Sequence, residues 1–361
     1  MASDLPPSAA LLLQNSSVQV ALTMVIAAFG AGIAFAVGAP APFLIGPALL
    51  VALSGLFGLP VHIPVWLRNL CFIIIGLSMG AGVTPDVVTT AKQWPLSFVI
   101  LAIALVLIIL IGKWMLTSRW RYDAMTALLA VVPGHLSYVL GLSAETKGDL
   151  ATIGIVQSIR LLALTILVPF AIVLIGVDAG ASSGVLVVMP WLAFVVSMVA
   201  AFIGGFVLDR LRLPAAYLIA GLFFSTGSHI TGAIDGTVTP LIGTPAFITM
   251  GALIGTRFSG VTFAMLKRAF VAGTCVTLVA FGLSAFAAWL VSLFVDAPIS
   301  QVLIAFAPGG VETMAAMAIS MNADPAFVAA HHVMRLLILT FLAPLMLGMA
   351  RSSDSATKLN S

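Results

Sequence analysis

Apolar residues run along this chain in twelve segments, separated by short clusters of Gly, Pro and charged residues. The first six cover about 17–38, 43–58, 65–83, 94–117, 124–143 and 150–177. The second six cover about 185–208, 214–228, 240–258, 265–295, 299–320 and 325–349. A helix needs about 20 apolar residues to cross a bilayer, so several of these are marginal spans. The fifth of each set is interrupted, by Pro133-Gly134 or by Pro308-Gly309-Gly310. Such a pair breaks the hydrogen-bond ladder of a helix.

The two sets are copies of one unit. The stretch from Pro133 to Pro169 aligns with Pro308 to Pro344 without a gap, 175 positions on. Asp149 matches Asp324, and Arg160-Leu161-Leu162 matches Arg335-Leu336-Leu337. Upstream, Gly76 and Gly80 match Gly251 and Gly255. The register then shifts by one, so that Pro40, Leu44 and Ile45 match Pro214, Leu218 and Ile219. The sequence thus divides into a first membrane repeat, 1–180, and a second, 181–361. Duplicated membrane units with a polar residue in each half are a common plan for transporters.

Composition agrees with a bilayer as the main solvent. Hydrophobic residues make up 61% of the chain and charged residues 7%, and mean hydropathy is +1.22. A soluble domain could not cover its surface with so few charges. The net charge of +3 reflects loop cations and predicts no direct nucleic-acid contact. Cys71 and Cys275 lie in apolar runs and show neither metal spacing nor a disulfide framework. Met1 to Ser17 lacks a basic n-region, which predicts no cleaved signal peptide.

Loop charges choose the topology. If all twelve segments cross, the cations divide evenly between the two sides. If the fifth segment re-enters, Arg68, Lys113, Arg119, Arg121, Lys147, Arg210, Arg212, Arg257, Lys267, Arg268, Arg351 and Lys358 share one side, with Lys92 opposite. The positive-inside rule favours the second arrangement. It predicts an all-α polytopic membrane protein of two inverted repeats, each with about five transmembrane helices and one re-entrant Pro-Gly hairpin. Both termini are then cytoplasmic and the chain sits in a bacterial inner membrane.

Non-helical backbone at membrane depth survives only where protein or water satisfies it, so the two breaks mark the candidate site. It comprises Gly134, His135 and Ser137 in the first repeat and Gly309, Gly310 and Glu312 in the second. Arg160 and Arg335 join it, since a charge inside a span costs about 3 kcal/mol without a partner. Each either binds an anion through its guanidinium fork or ties down the neighbouring hairpin through free carbonyls. One turn before each arginine stand Gln157 and His332, a polar stripe on an apolar helix. Glu312 has Ser137 in its place in the other repeat; it either takes a coupling proton or cation or caps its half-helix. Asp149 and Asp324 are read as N-caps.

The run from Pro308 through Met314, then Ala323-Asp324-Pro325-Ala326-Phe327-Val328-Ala329-Ala330-His331-His332 and Arg335-Leu336-Leu337, resembles the bacterial AbrB-type duplicated membrane proteins. Val156 through Leu162 resembles the N-terminal half of the same family, and His135 departs from it where a second glycine is usual. The resemblance covers essentially the whole chain. It implies a membrane protein unrelated to the soluble DNA-binding regulator of the same name. Labels in the family include regulator of gene expression and ammonia monooxygenase.

Three functions are weighed on these residues. A secondary transporter of a small anionic metabolite, working by alternating access, accounts for the repeats, breaks and arginines together. It is no enzyme, needs no cofactor beyond a coupling proton or sodium ion, and leaves a homo-oligomer open. An indirect regulator of gene expression is the alternative. A membrane-bound monooxygenase comes last, because His62, His135, His229, His331 and His332 form no metal-ligand pattern.

Overall fold

A computed structural model describes residues 15–83, 91–133, 148–176, 187–211, 213 and 215–359. Thirteen α-helices occur among them. In the first half these are α1 (Ser16–Ala36), α2 (Pro42–Leu56), α3 (Val65–Ala81), α4 (Trp94–Trp120), α5 (Ala124–Val131) and α6 (Leu150–Leu174). The second half contains α7 (Trp191–Arg210), α8 (Ala216–Ile230), α9 (Pro240–Gly255), α10 (Phe263–Ser292), α11 (Ile299–Phe306), α12 (Val311–Ser320) and α13 (Pro325–Leu359). Every predicted apolar segment contains a helix. No strand forms among the described residues, which carry one isolated bridge between Val188 and Thr237.

The duplication reaches the helix ends. α2 and α8 begin and end 174 positions apart, and α5 and α11 begin and end 175 apart. The one-residue shift therefore falls between α2 and α3, where the second copy has the longer connection. Ala41 and Ala215, which precede α2 and α8, both adopt left-handed backbone, with φ of 47° and 54°.

Seven helices are long and apolar enough to cross a membrane: α1, α4, α6, α7, α9 with the 3-10 turn Thr256–Phe258, α10 and the first part of α13. The rest are shorter. Large apolar side chains stand outward on the long helices, including Phe29, Leu192 and Phe286 at 67%, 75% and 61% exposure. Such surfaces are stable facing lipid. The small residues of α1 (Thr23, Ala27, Gly30, Ala31 and Ala34) are buried instead. Small faces let helices approach closely where no hydrophobic effect drives them together.

The chain forms two compact units, and both draw on both repeats. Unit one contains Met1–Lys92, Thr165–Thr262 and Val311–Ala329. Within it α1 packs on α2 and α7 on α8, while α3 packs on α8 and α9 on α2. The last two contacts are exchanged between repeats and match residue for residue. Gly76 and Gly80 of α3 lie against the Leu218 and Leu222 carbonyls, as Gly251 and Gly255 of α9 lie against those of Leu44 and Ala48. A small core of Ala27, Val51, Val61, Ile63 and Ala252 completes the α1–α2–α9 face.

Unit two contains Gln93–Leu164, Phe263–Gly310 and Ala330–Ser361. Here α4 packs on α10, α5 on α4, and α11 on α10. Gly112 of α4 admits Val131 of α5, and Gly273 of α10 admits Ile159. From Met125 and Ser300 onward, α5 and α11 are buried to their C-terminal ends. Helices so enclosed must satisfy their free carbonyls inside the protein.

The predicted N-caps are present. The Asp149 carboxylate accepts from the Ala151 and Thr152 amides at 3.0 and 3.2 Å and from the Thr152 hydroxyl at 2.6 Å. That of Asp324 accepts from Ala326 and Phe327 at 2.8 and 3.4 Å. The two caps titrate in opposite senses. The Thr152 hydroxyl, with the backbone amides, holds Asp149 below the usual aspartate range. Burial pushes Asp324 up despite its amide bonds. Asp149 therefore supports folding above the ordinary aspartate range, around pH 4, and loses that support as pH falls through its lowered value. For Asp324 the sign reverses, and stability falls as pH rises through its raised value. Asp149→Asn should melt closer to wild type at about pH 3.5 than at about pH 6. Asp324→Asn should gain relative to wild type on moving to neutral pH. Melting temperatures of both variants across that range check the signs.

Candidate functional site

The second break is fully described. α11 has 8 residues and α12 has 10, about 12 and 15 Å of helix, so neither spans a bilayer alone. Pro308 supplies the interruption: it has no amide hydrogen and drives the preceding Ala307 to extended backbone, φ −56° and ψ 128°. The Gly309 amide then donates to the Ala307 carbonyl at 2.8 Å, a tight turn around the proline. In the first repeat, α5 ends in the same way at Val132, φ −56° and ψ 118°, just before Pro133. Gly134, His135 and Ser137 lie outside the described residues.

Both arginines are buried, at 4% and 1% exposure, and both grip the carbonyls of a break. Arg335 donates to Ala307 at 2.8 Å and to Gly309 at 2.6 Å. Arg160 donates to Val131 at 3.1 Å and more weakly to Val132, the counterpart of Ala307, at 3.4 Å. A guanidinium suits a helix C-terminus, where unpaired carbonyls concentrate negative partial charge. Of the two roles open to these arginines, bracing the break is the one for which these bonds provide.

The residues one turn earlier complete the brace unequally. Gln157 donates to the Leu129 carbonyl at 2.8 Å and accepts from Arg160 at 3.3 Å. His332 lies near the Ile304 carbonyl, the counterpart of Leu129, outside hydrogen-bond geometry. His331 belongs to an aromatic cluster. Its ring centroid is 4.7 Å from that of Phe98 and 5.8 Å from that of Phe306, and its Nε2 lies 2.6 Å from the Ser97 hydroxyl. Since Ser97 donates to the Trp94 carbonyl, its oxygen accepts from Nε2–H, which sets the tautomer.

Glu312, at 8% exposure, sits in the first turn of α12. α12 packs on α3 and α9. Arg68 and Arg257 fall inside the predicted segments 65–83 and 240–258, near a helix end in each case. Arg68 is in the first turn of α3, and Arg257 is half-buried in the 3-10 turn after α9. Arg257 interacts electrostatically with both Glu312 and Arg68. Sequence reasoning missed this group because the three residues are far apart in the chain. The one available signal was in the repeat register, which pairs Arg257 with Gly82. A separate open cavity of about 520 Å³ in unit one is lined by Gly38, Pro42, Phe43, Thr244, Phe247 and Ser320, among others, and includes none of the predicted site residues.

Buried guanidinium groups bracing helix ends, in a chain with seven helices long and apolar enough to cross a membrane, fit an integral membrane protein. The profile of a family described as Transition state regulatory protein AbrB matches residues 43–351, and the chain belongs to this family. Its length and apolar helices place it with the membrane proteins of that name rather than with the small DNA-binding ones. The chain is 25% identical over 288 residues to the protein YhjN of Bacillus subtilis (strain 168), covering 75% of each. It is 24% identical over 320 residues to a protein of Escherichia coli (strain K12) named as a regulator, AbrB, covering 86% of this chain and 90% of that one. No solved structure matches.

Proposed function

We propose that the chain is a secondary transporter that moves a small anionic metabolite across the bacterial inner membrane by alternating access. The observation that carries this reading is the pair of buried helices that each stop before a proline, at Val132 and Ala307, and are braced there by a buried arginine at the same position of its repeat. Discontinuous helices at matching places in two halves are the common form of a transporter binding site. The unit division supports the reading, since equivalent helices of both repeats fall into the same compact unit. In this proposal each repeat crosses five times and carries one re-entrant hairpin, and the second repeat is inverted relative to the first. Both termini face the cytoplasm, and a proton or sodium gradient drives the cycle.

Uptake by cells overproducing the protein, and by vesicles containing it, tests this. Collapsing both gradients should abolish accumulation of the transported anion, whereas removing ATP with the gradients clamped should not. Accumulation that survives both treatments overturns the proposal. The name of the Escherichia coli relative favours a second reading, indirect regulation of gene expression. Expression profiles of a folded but uptake-dead variant separate the two. Regulation that persists without uptake supports the second.

A further inference from the structure

Unit two has a groove of about 530 Å³ on the seam where α4 packs on α10, and none of the candidate site residues lines it. Trp114, Ser118, Arg119 and Trp120 form its α4 wall, and Cys275, Leu278 and Val279 form its α10 wall. α4 has 27 residues, about 40 Å of helix against roughly 30 Å of bilayer hydrocarbon, so its last turn reaches the headgroup layer. The α10 wall lies deeper. A Cβ at Gly112 would be 3.6 Å from Val276, the neighbour of Cys275, which sets that part of α10 level with a point two turns before the end of α4. The groove therefore runs from a cation and two indoles at headgroup depth to apolar side chains at hydrocarbon depth. Trp114, at 67% exposure, stands on its lipid-facing side.

The donors at the shallow end are unused. The Arg119 guanidinium and the indole N–H groups of Trp114 and Trp120 make no hydrogen bond or ion pair among the described residues. Nothing nearby in the chain neutralises the arginine. α4 and α10 contain no Asp or Glu, and the Asp123 carboxylate is taken by the Thr126 amide, at 2.8 Å, as the α5 N-cap. Lys113 and Arg121 add two more cations to the same stretch. We infer that this groove binds one anionic phospholipid, with its phosphate on Arg119 and the indoles and an acyl chain along Cys275, Leu278 and Val279. A guanidinium fork matches a phosphate, and indoles favour the interface where a lipid's polar and apolar parts meet. Basic pockets between membrane helices select anionic head groups in the same way. A second copy of the chain fits the groove poorly. A two-fold contact through this face would bring α4 and α10 cations together without an acid to pair them.

The test uses the full-length protein in phosphatidylcholine nanodiscs with a small fraction of brominated lipid, which quenches tryptophan fluorescence on contact. Brominated phosphatidylglycerol should quench more than brominated phosphatidylcholine, with a preference of about fivefold for one cation at the surface. Trp114→Phe combined with Trp120→Phe should remove the excess, which places it at this groove. Arg119→Gln should bring the preference close to one, and Arg119→Lys should keep part of it. Cys275→Phe fills the deep end and should remove the excess with Arg119 intact. Equal quenching of wild type by the two lipids overturns the inference, as does an excess that survives Arg119→Gln or Cys275→Phe. Native mass spectrometry of wild type gives a readout that needs no variant. Protein released from nanodiscs of both lipids in equal parts should retain phosphatidylglycerol. Retention of neither lipid, or of both alike, overturns the inference, and so does a lipid-free dimer that cross-links through Cys275.

Discussion

Arg335→Ala should lower the stability of the protein in nanodiscs by about 2–4 kcal/mol, the largest loss expected from any arginine in the chain. The substitution removes two charge-assisted hydrogen bonds in a buried turn, stranding the Gly309 carbonyl and leaving that of Ala307 with the Gly309 amide alone. Pro308 offers no amide to replace them, and lipid offers no donor. Arg160→Ala should cost less. Its bonds to Val131 and Val132 are longer, and Gln157 still holds the Leu129 carbonyl. Arg119→Ala, in the last turn of α4, should cost least. Lysine at 335 should fall between, since an ammonium lacks the planar fork that reaches both carbonyls. Thermal unfolding followed by tryptophan fluorescence ranks the four variants. If Arg335→Ala melts with wild type, the brace is not what holds the break.

The second large effect concerns helix approach. Gly76→Ala and Gly251→Ala should each destabilise the protein by about 1–3 kcal/mol, and by similar amounts. A Cβ at Gly76 would run into the Leu218 carbonyl oxygen, and one at Gly251 into that of Leu44. These contacts are with backbone, so no side chain can swing aside and the helices must separate. Gly227 in α8 and Gly243 in α9 are the controls, with nothing within 4 Å of an added Cβ. Alanine there should be neutral or should stabilise by up to about 1 kcal/mol, because it restricts the unfolded chain. Unequal losses at 76 and 251 would show that the exchanged contacts differ in weight between repeats. Equal losses at all four positions would remove close approach as their cause.

The capping and breaking elements were legible because their chemistry is local. A proline acts on the residue before it, so Pro133 and Pro308 announced the ends of α5 and α11. Asp149 and Asp324 reach amides two and three residues on, within the same turn. The ranking of roles for the arginines was not legible. Arg335 has its partners 28 and 26 residues back, and an anion would occupy the same donors. His331 and His332 show the same limit. Adjacent in sequence and alike in chemistry, they differ in environment because one bonds Ser97, 234 positions away, and the other lies near a helix carbonyl outside hydrogen-bond geometry.

The sequence by itself determined that this protein lives in a bilayer, that it consists of one unit written twice, and where its helices start, stop and break. Those properties follow from hydropathy, from register and from residues whose backbone preferences act within a turn. Tertiary structure alone decided that each repeat lends its third helix to the second helix of the other. It alone turned the buried arginines onto the carbonyls of the breaks and brought Glu312 and Arg68 into electrostatic reach of Arg257. Glycine faces, guanidinium groups and carboxylates accept many partners of suitable shape or charge. Which partner each one meets is settled when distant segments pack.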